Sequence, residues 1–262
     1  MLFRLSSPAL ILVLLVIIVG SSLAGLLVGR SRREHHHGLR ESSGVLQGAL
    51  LGFMGLVLAF GLSLALGRYE DRRAAVVDDA NTIGTTYLRA QTLSEPVRSR
   101  SLPLLVAYTD AEIRLTDEMS GSELAEETVA RASRLQRELW ALAGRAVREE
   151  PTDSAPRLYE DSLNAMIDQQ AVRVAGLNNR VPTEVLLLEL IGAAGAMFLV
   201  GLHVGLLGRS LTPLLLAAGL VAFLLFVNFD LDRPTRGFIK VPDAPLAALR
   251  ASMDERPAYG GP

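Results

Sequence analysis

Glu189 is the only charged side chain well inside any of the four long apolar runs of this sequence. An acid in hydrocarbon is expensive enough to mark a functional site. His203 follows 14 residues later, nearly four helical turns, so the two fall on one helix face roughly 21 Å apart along the axis. Ala193, Ala196 and Val200 fill that face between them. Two chemistries fit the spacing. One is an ion or proton path along a water-lined groove. The other is a structural Glu a turn or so below the membrane surface, protonated or paired with an Arg, and a His at the opposite headgroup level.

A second concentration of charge stands where apolar runs end. Asp230, Asp232, Arg233, Arg236 and Lys240 follow the last run, and Arg68, Arg72 and Arg73 follow the second. Acids among guanidiniums at a membrane surface pair and fix helix ends together, or, around a symmetry axis, select the sign of a permeating ion. His35, His36 and His37 sit beside Arg30, Arg32, Arg33 and Arg40. Adjacent histidines do not converge on one helical face, so the triplet reads as a solvated loop and no metal is expected.

Enzyme signatures are missing. The single lysine, Lys240, follows Ile239 and not a glycine, so no phosphate-binding loop exists; GxSxG, HExxH and GxGxxG motifs are also absent. Cysteine is absent too, which removes thiolate metal sites, thiol nucleophiles and disulfides. No catalytic residue and no cofactor is expected. A net charge of -2 provides no basic field for nucleic acid.

These residues belong to a chain of 262, half of them hydrophobic but only 5% aromatic. The excess is Leu, Val, Ala and Ile, which suit helices in lipid. Residues 8–28, 44–67, 185–207 and 211–229 are each long enough to cross a hydrocarbon core about 30 Å thick. Pro8 and Pro213 stand in first turns and Pro182 just ahead of the third run, where a missing N–H is tolerated. The expected class is an all-α membrane protein, with transmembrane hairpins at 8–67 and 184–229, a soluble helical-bundle insert at 68–183 and a membrane-proximal tail at 230–262.

Within the insert, Tyr69, Val76, Ala80, Ile83, Tyr87 and Ala90 recur at helical steps, so the second membrane helix continues straight into it. A second helix is expected near 102–117, its start marked by Pro96 and Pro103. A third starts from a capping box at Ser120 and Glu123, with Leu124, Leu135, Leu139, Leu142 and Ala146 on one face. A fourth runs from about Arg157 to Asn178 after the breakers Pro151 and Pro156. Small residues recur at spacing four: Ser21, Gly25 and Gly29, then Gly44, Gly48 and Gly52, then Gly201 and Gly205. Such faces let helix backbones approach, within one subunit or between subunits.

Three stretches, GALLGFMGLVLAFGLSLALGRYEDRRAAVVDDANTIGTTYLRAQTL at 48–93, NNRVPTEVLLLELIG at 178–192 and DLDRPTRGFIKVPDAPLAALRASM at 230–253, resemble the bacterial bestrophin-like membrane proteins. True bestrophins are pentameric ion channels with four membrane helices per subunit, long cytoplasmic helices and a second membrane helix that lines the pore. Its apolar neck is built of bulky residues at spacing four. The resemblance therefore implies an oligomeric ion channel or ion-transport protein in the bacterial inner membrane, with lipid, ions and other copies of the chain as partners. It also implies a path past Phe53 and Phe60; Glu189 and His203 are candidates for the path on the residue grounds given above. Here spacing four joins Gly52, Leu56 and Phe60, so one neck position is glycine. The alternative is a non-conducting sensor or scaffold whose helical domain binds a partner.

With four spans, termini and insert share one side. The two short links carry Arg30, Arg32, Arg33, Arg40 and Arg209. The other side carries Arg4, Arg68, Arg72, Arg73, Arg173, Arg180, Arg233, Arg236 and Lys240. The larger basic set predicts a cytoplasmic insert.

Overall fold

The computed structural model describes residues 6–32, 39–117, 122–233 and 237–255. They form eight helices and, among the described residues, no strand: α1 (Ser7–Arg32), α2 (Leu39–Ala90), α3 (Val97–Asp117), α4 (Glu123–Glu149), α5 (Ser154–Asn178), α6 (Thr183–Leu207), α7 (Leu211–Leu231) and α8 (Ala244–Ser252). Four of them carry apolar windows long enough to cross a membrane. The chain divides into two compact units, one of Met1–Arg68 with Arg180–Ile239, the other of Tyr69–Asn179 with Lys240–Pro262.

In the first unit α1 packs on α6 and α7, which also pack on each other. The α1–α6 seam is made by glycine. A Cβ on Gly25 would overlap the Phe198 carbonyl oxygen, one on Gly29 that of Leu202, one on Gly201 that of Ser22 and one on Gly205 that of Leu26. Backbone meets backbone, as expected where lipid supplies no hydrophobic drive. Ser22, and not Ser21, completes the α1 side, since it is fully buried and its own carbonyl meets Gly201. Leu10, Leu14, Ile18, Met197, Leu214, Leu225 and Phe229 belong to the core of this unit. Gly208 ends α6 in the left-handed region at φ 68°, where a Cβ would be strained, and the next N–H, of Arg209, bonds back to Val204.

The second unit is a helical bundle whose core joins Ile83, Leu105, Tyr108, Leu139, Tyr159, Leu163 and Met166. The heptad-like residues of α2 serve as expected: Val76, Ala80, Ile83 and Ala90 are buried, and the half-buried Tyr87 donates to the Met253 carbonyl. α8 packs on α3 and seals the core with Leu246.

Several boundaries differ from the sequence expectation. α3 begins at Val97, five residues before Leu102, because the Glu95 carboxylate accepts from the Ser99 N–H at 3.1 Å and satisfies a first-turn donor. Pro103 therefore lies inside the helix, which costs one backbone bond there. α4 is capped by Ser122, whose hydroxyl accepts from the Ala125 N–H; Ser120 lies outside the described residues. Its core face is Ala125, Ala132, Gln136, Leu139, Ala143 and Ala146, and Leu124 is exposed. α5 begins at Ser154 behind the cap Asp153, with Pro156 in its first turn. His35, His36, His37, Arg4, Arg33 and Arg236 also lie outside the described residues.

Candidate functional site

α2 presents three faces in its apolar stretch, set by 100° per residue. Met54, Leu58, Gly61 and Ala65 are buried within the first unit. About a third of a turn away are Gly48, Gly52 and Gly55, where an added Cβ would meet nothing. The remaining third carries Phe53, Leu56, Phe60 and Leu64, all exposed, the two phenylalanines at 55% and 62%. Gly48 and Gly52 of the α2 repeat are therefore not part of a packing seam within the chain, unlike the glycines of α1 and α6.

Glu189, on α6, is fully buried against the first of these faces. Asn228 of α7 donates through Nδ2 to Glu189 Oε2 at 3.2 Å and to the Leu58 carbonyl at 3.3 Å. An amide and not an arginine therefore holds the carboxyl group. Its Oε1 has no hydrogen-bond partner in the protein and lies so close over Gly61 that a Cβ there would coincide with it. One helix turn away, Gly192 gives the same close approach to the Met54 thioether. Three helices thus meet at Glu189, and glycine at position 61 is what admits the side chain. The sequence showed Glu189 as a lone acid but not its partner. The available signal was that Asn228 is the one amide in the last apolar run.

His203 lies on the same face of α6 but far from Glu189, and its ring stands over Gly44, with Cε1 3.2 Å from where a Cβ would be. Between them Ala193 and Ala196 are buried in the unit and Val200 packs against its core.

At the end of α7 the carboxylates hold chain segments together. Asp230 accepts from the Ser7 hydroxyl at 3.4 Å and from the Ile239 N–H at 2.9 Å; Asp232 accepts from the Val181 N–H at 2.7 Å. Both acids and Arg233 are buried. A Cβ on Gly237 would come within 2.7 Å of the Asp230 carbonyl oxygen, so the return of the chain toward Ile239 also depends on glycine. Arg68 closes the first unit's part of α2, while Arg72, buried, and Arg73, exposed, open the second unit's part.

Arg173, one of the basic residues on the insert's side, is buried at the centre of a network in the second unit. Its Nη1 lies 2.9 Å from Asp79 Oδ2 and 2.6 Å from Glu112 Oε2, and its Nη2 donates to the Glu112 carbonyl and the Thr116 hydroxyl. Gln170 donates to Glu112 Oε1 at 2.8 Å, and Gln136 donates to Gln170 and to the Tyr108 hydroxyl. Sequence patterning could not show it, because its members come together from four helices, α2, α3, α4 and α5. Among the described residues no cluster of three or more metal-ligating side chains occurs.

A family model described as a Bestrophin-like domain matches residues 11–246. Among solved structures, a mutant of a bacterial bestrophin homologue from Klebsiella pneumoniae is similar at a TM-score of 0.67 and 13% identity, covering 90% of this chain and 97% of that one. The homologue solved by zinc phasing is similar at 0.64 and 15%, with the same coverage. A variant of a protein described as a membrane protein is similar at 0.66 and 12%, covering 90% and 96%. At such identities the likeness is one of fold. No curated protein matches the chain.

Proposed function

The chain belongs to the Bestrophin-like family, and from that premise we propose that copies of it assemble in a membrane into an ion-conducting ring whose path is lined by α2. The three faces of α2 carry this reading. One face is committed to the chain's own α6 and α7 through Glu189, Asn228 and Met54. Gly48, Gly52 and Gly55 leave open backbone that fits the close approach of a helix from a neighbouring copy. The third face, with Phe53, Leu56, Phe60 and Leu64, then turns to the axis as an apolar constriction. Glu189 acts behind that constriction by fixing the position of α2.

The absence of cysteine makes the test clean. In liposomes loaded with a permeant salt, the wild type should release ions, and Phe60→Cys should do so until a bulky thiol reagent is added, after which flux should fall at least tenfold. Leu216→Cys, at an exposed site on α7, should label without any loss of flux. No release from wild-type liposomes would favour the non-conducting sensor or scaffold, and block at position 216 but not at position 60 would move the path off α2.

Residues 68–183 are proposed to form the soluble insert and 230–262 the membrane-proximal tail, in a protein of the bacterial inner membrane with the insert in the cytoplasm. The basic residues flanking the runs support that side even without Arg173, whose charge is used inside the bundle. A reporter that works only in the periplasm, fused after Met253, should be silent; activity would reverse the topology. No enzymatic role is proposed.

A further inference from the structure

We infer that the helical bundle of the second unit contains a one-proton binding site, shared by Asp79 and Glu112 across the Arg173 guanidinium. The inference goes beyond ion conduction and does not depend on it. Its basis is a charge count in a dry place. Asp79 and Glu112 are fully buried and the Arg173 side chain is 3% exposed, so two carboxyl groups face one cation with almost no access to water. One guanidinium neutralises one carboxylate; the second negative charge is left in low dielectric, where an uncompensated ion is costly.

Hydrogen bonding shows where the missing charge belongs. Glu112 Oε1 accepts from Gln170, Glu112 Oε2 from Arg173 and Asp79 Oδ2 from Arg173. Asp79 Oδ1 alone among the four oxygens is buried without a partner in the protein. A proton there makes the cluster neutral and leaves every other bond intact. Both carboxyls respond in that direction: burial, reinforced by the charge of Asp79, pushes Glu112 up to about 7, and burial pushes Asp79 up to about 6, with Arg173 opposing in each case. The proton belongs to the pair and not to one residue.

The surrounding groups do not supply the charge instead. From α3, Tyr108 is held neutral by burial beside Glu112 and Asp79, and Thr116 is uncharged. From α4 and α5 come the amides Gln136 and Gln170. Arg250 of α8 is engaged by Asp110 and Asp254. Arg72, two turns earlier on α2, packs its stem beside Gly176 of α5, and the cation that acts on Asp79 and Glu112 is Arg173.

The sign of the consequence is fixed. In the unfolded chain both carboxyls ionise in the ordinary range near 4 and carry no proton at neutral pH, whereas the folded pair carries one. Stability from this site is therefore full at low pH and is lost as pH rises through about 6 to 7. One proton changes the folded-to-unfolded ratio by up to about tenfold per pH unit.

The lone tryptophan, Trp140, lies on α4 and reports on this unit alone. Denaturant unfolding of the full chain in lipid nanodiscs, followed by Trp140 fluorescence between pH 5 and 8, should show that loss in the wild type. Asp79→Asn removes the surplus charge and places an amide at the open position. It should abolish the pH slope and be more stable than the wild type at pH 8, which a merely structural aspartate would not allow. Glu112→Gln should also lose the slope, at lower overall stability because it weakens the Arg173 bond. Arg173→Gln should steepen the slope toward two protons, up to about a hundredfold per pH unit. A wild-type slope in either acid variant overturns the site, and so does Asp79→Asn being less stable than the wild type at pH 8 or failing to fold.

Discussion

Gly201→Leu is expected to prevent folding of the membrane unit. A Cβ at this position overlaps the Ser22 carbonyl oxygen and comes within 2.9 Å of the Leu26 nitrogen, and both obstacles are backbone of α1 and cannot rotate away. Relief requires α1 and α6 to separate, which also opens the contacts of Gly25, Gly29 and Gly205 along the same seam. Overpacked cores lose about 1 to 3 kcal/mol when side chains can adjust; here they cannot, so the loss should exceed that range. The measurement is the yield of monodisperse protein extracted in mild detergent, which should fall to near zero. Gly219→Leu on α7, where an added Cβ meets nothing, should extract like the wild type. If Gly201→Leu also extracts normally, α1 and α6 are not in backbone contact.

Gly61→Ala should also be damaging, and a double-mutant cycle can show why. The new methyl takes the place of Glu189 Oε1 and lies 3.2 Å from Asn228 Nδ2, so the carboxyl must move and break its bond to Asn228. The expected loss is about 1 to 3 kcal/mol, as for an overfilled core. Adding Glu189→Ala removes the obstructing atoms, and the new methyl partly fills the space left behind. The double variant should therefore be more stable than the sum of the single changes predicts, with a coupling above about 0.5 kcal/mol, the level that separates contacting from independent sites. Zero coupling would separate Gly61 from Glu189. Glu189→Gln keeps the volume and the bond to Asn228, so assembly should hold; a change in ion flux with intact assembly would then report on the charge itself, and no change would leave Glu189 as a packing group.

Much of the architecture was determined by sequence alone, because hydrocarbon imposes rules that act residue by residue. Runs of apolar residues of the right length, with prolines only at their starts, mark helices able to cross a membrane, and α1, α2, α6 and α7 cover those runs. The continuation of α2 through Val76, Ala80 and Ile83 followed from periodicity, a local property. Local signals failed where a side chain competed with them: Glu95 started α3 ahead of Pro103, and Ser122 replaced Ser120 as the cap of α4.

What only the tertiary structure decided is which surfaces meet. Small residues at spacing four look alike in α1, α2 and α6, yet those of α1 and α6 close on each other while Gly48 and Gly52 of α2 remain open. Glu189 was visible as an anomaly, but its meaning depends on Asn228, 39 residues away, and on the room left by Gly61. In the sequence Arg173 is one basic residue among many on the insert's side; the bundle places Asp79 from α2 and Glu112 from α3 against it. In each case the physical reason is the same: the cost of a buried charge, and the fit of one backbone on another, are set by atoms from distant parts of the chain, and no spacing along a single helix encodes them.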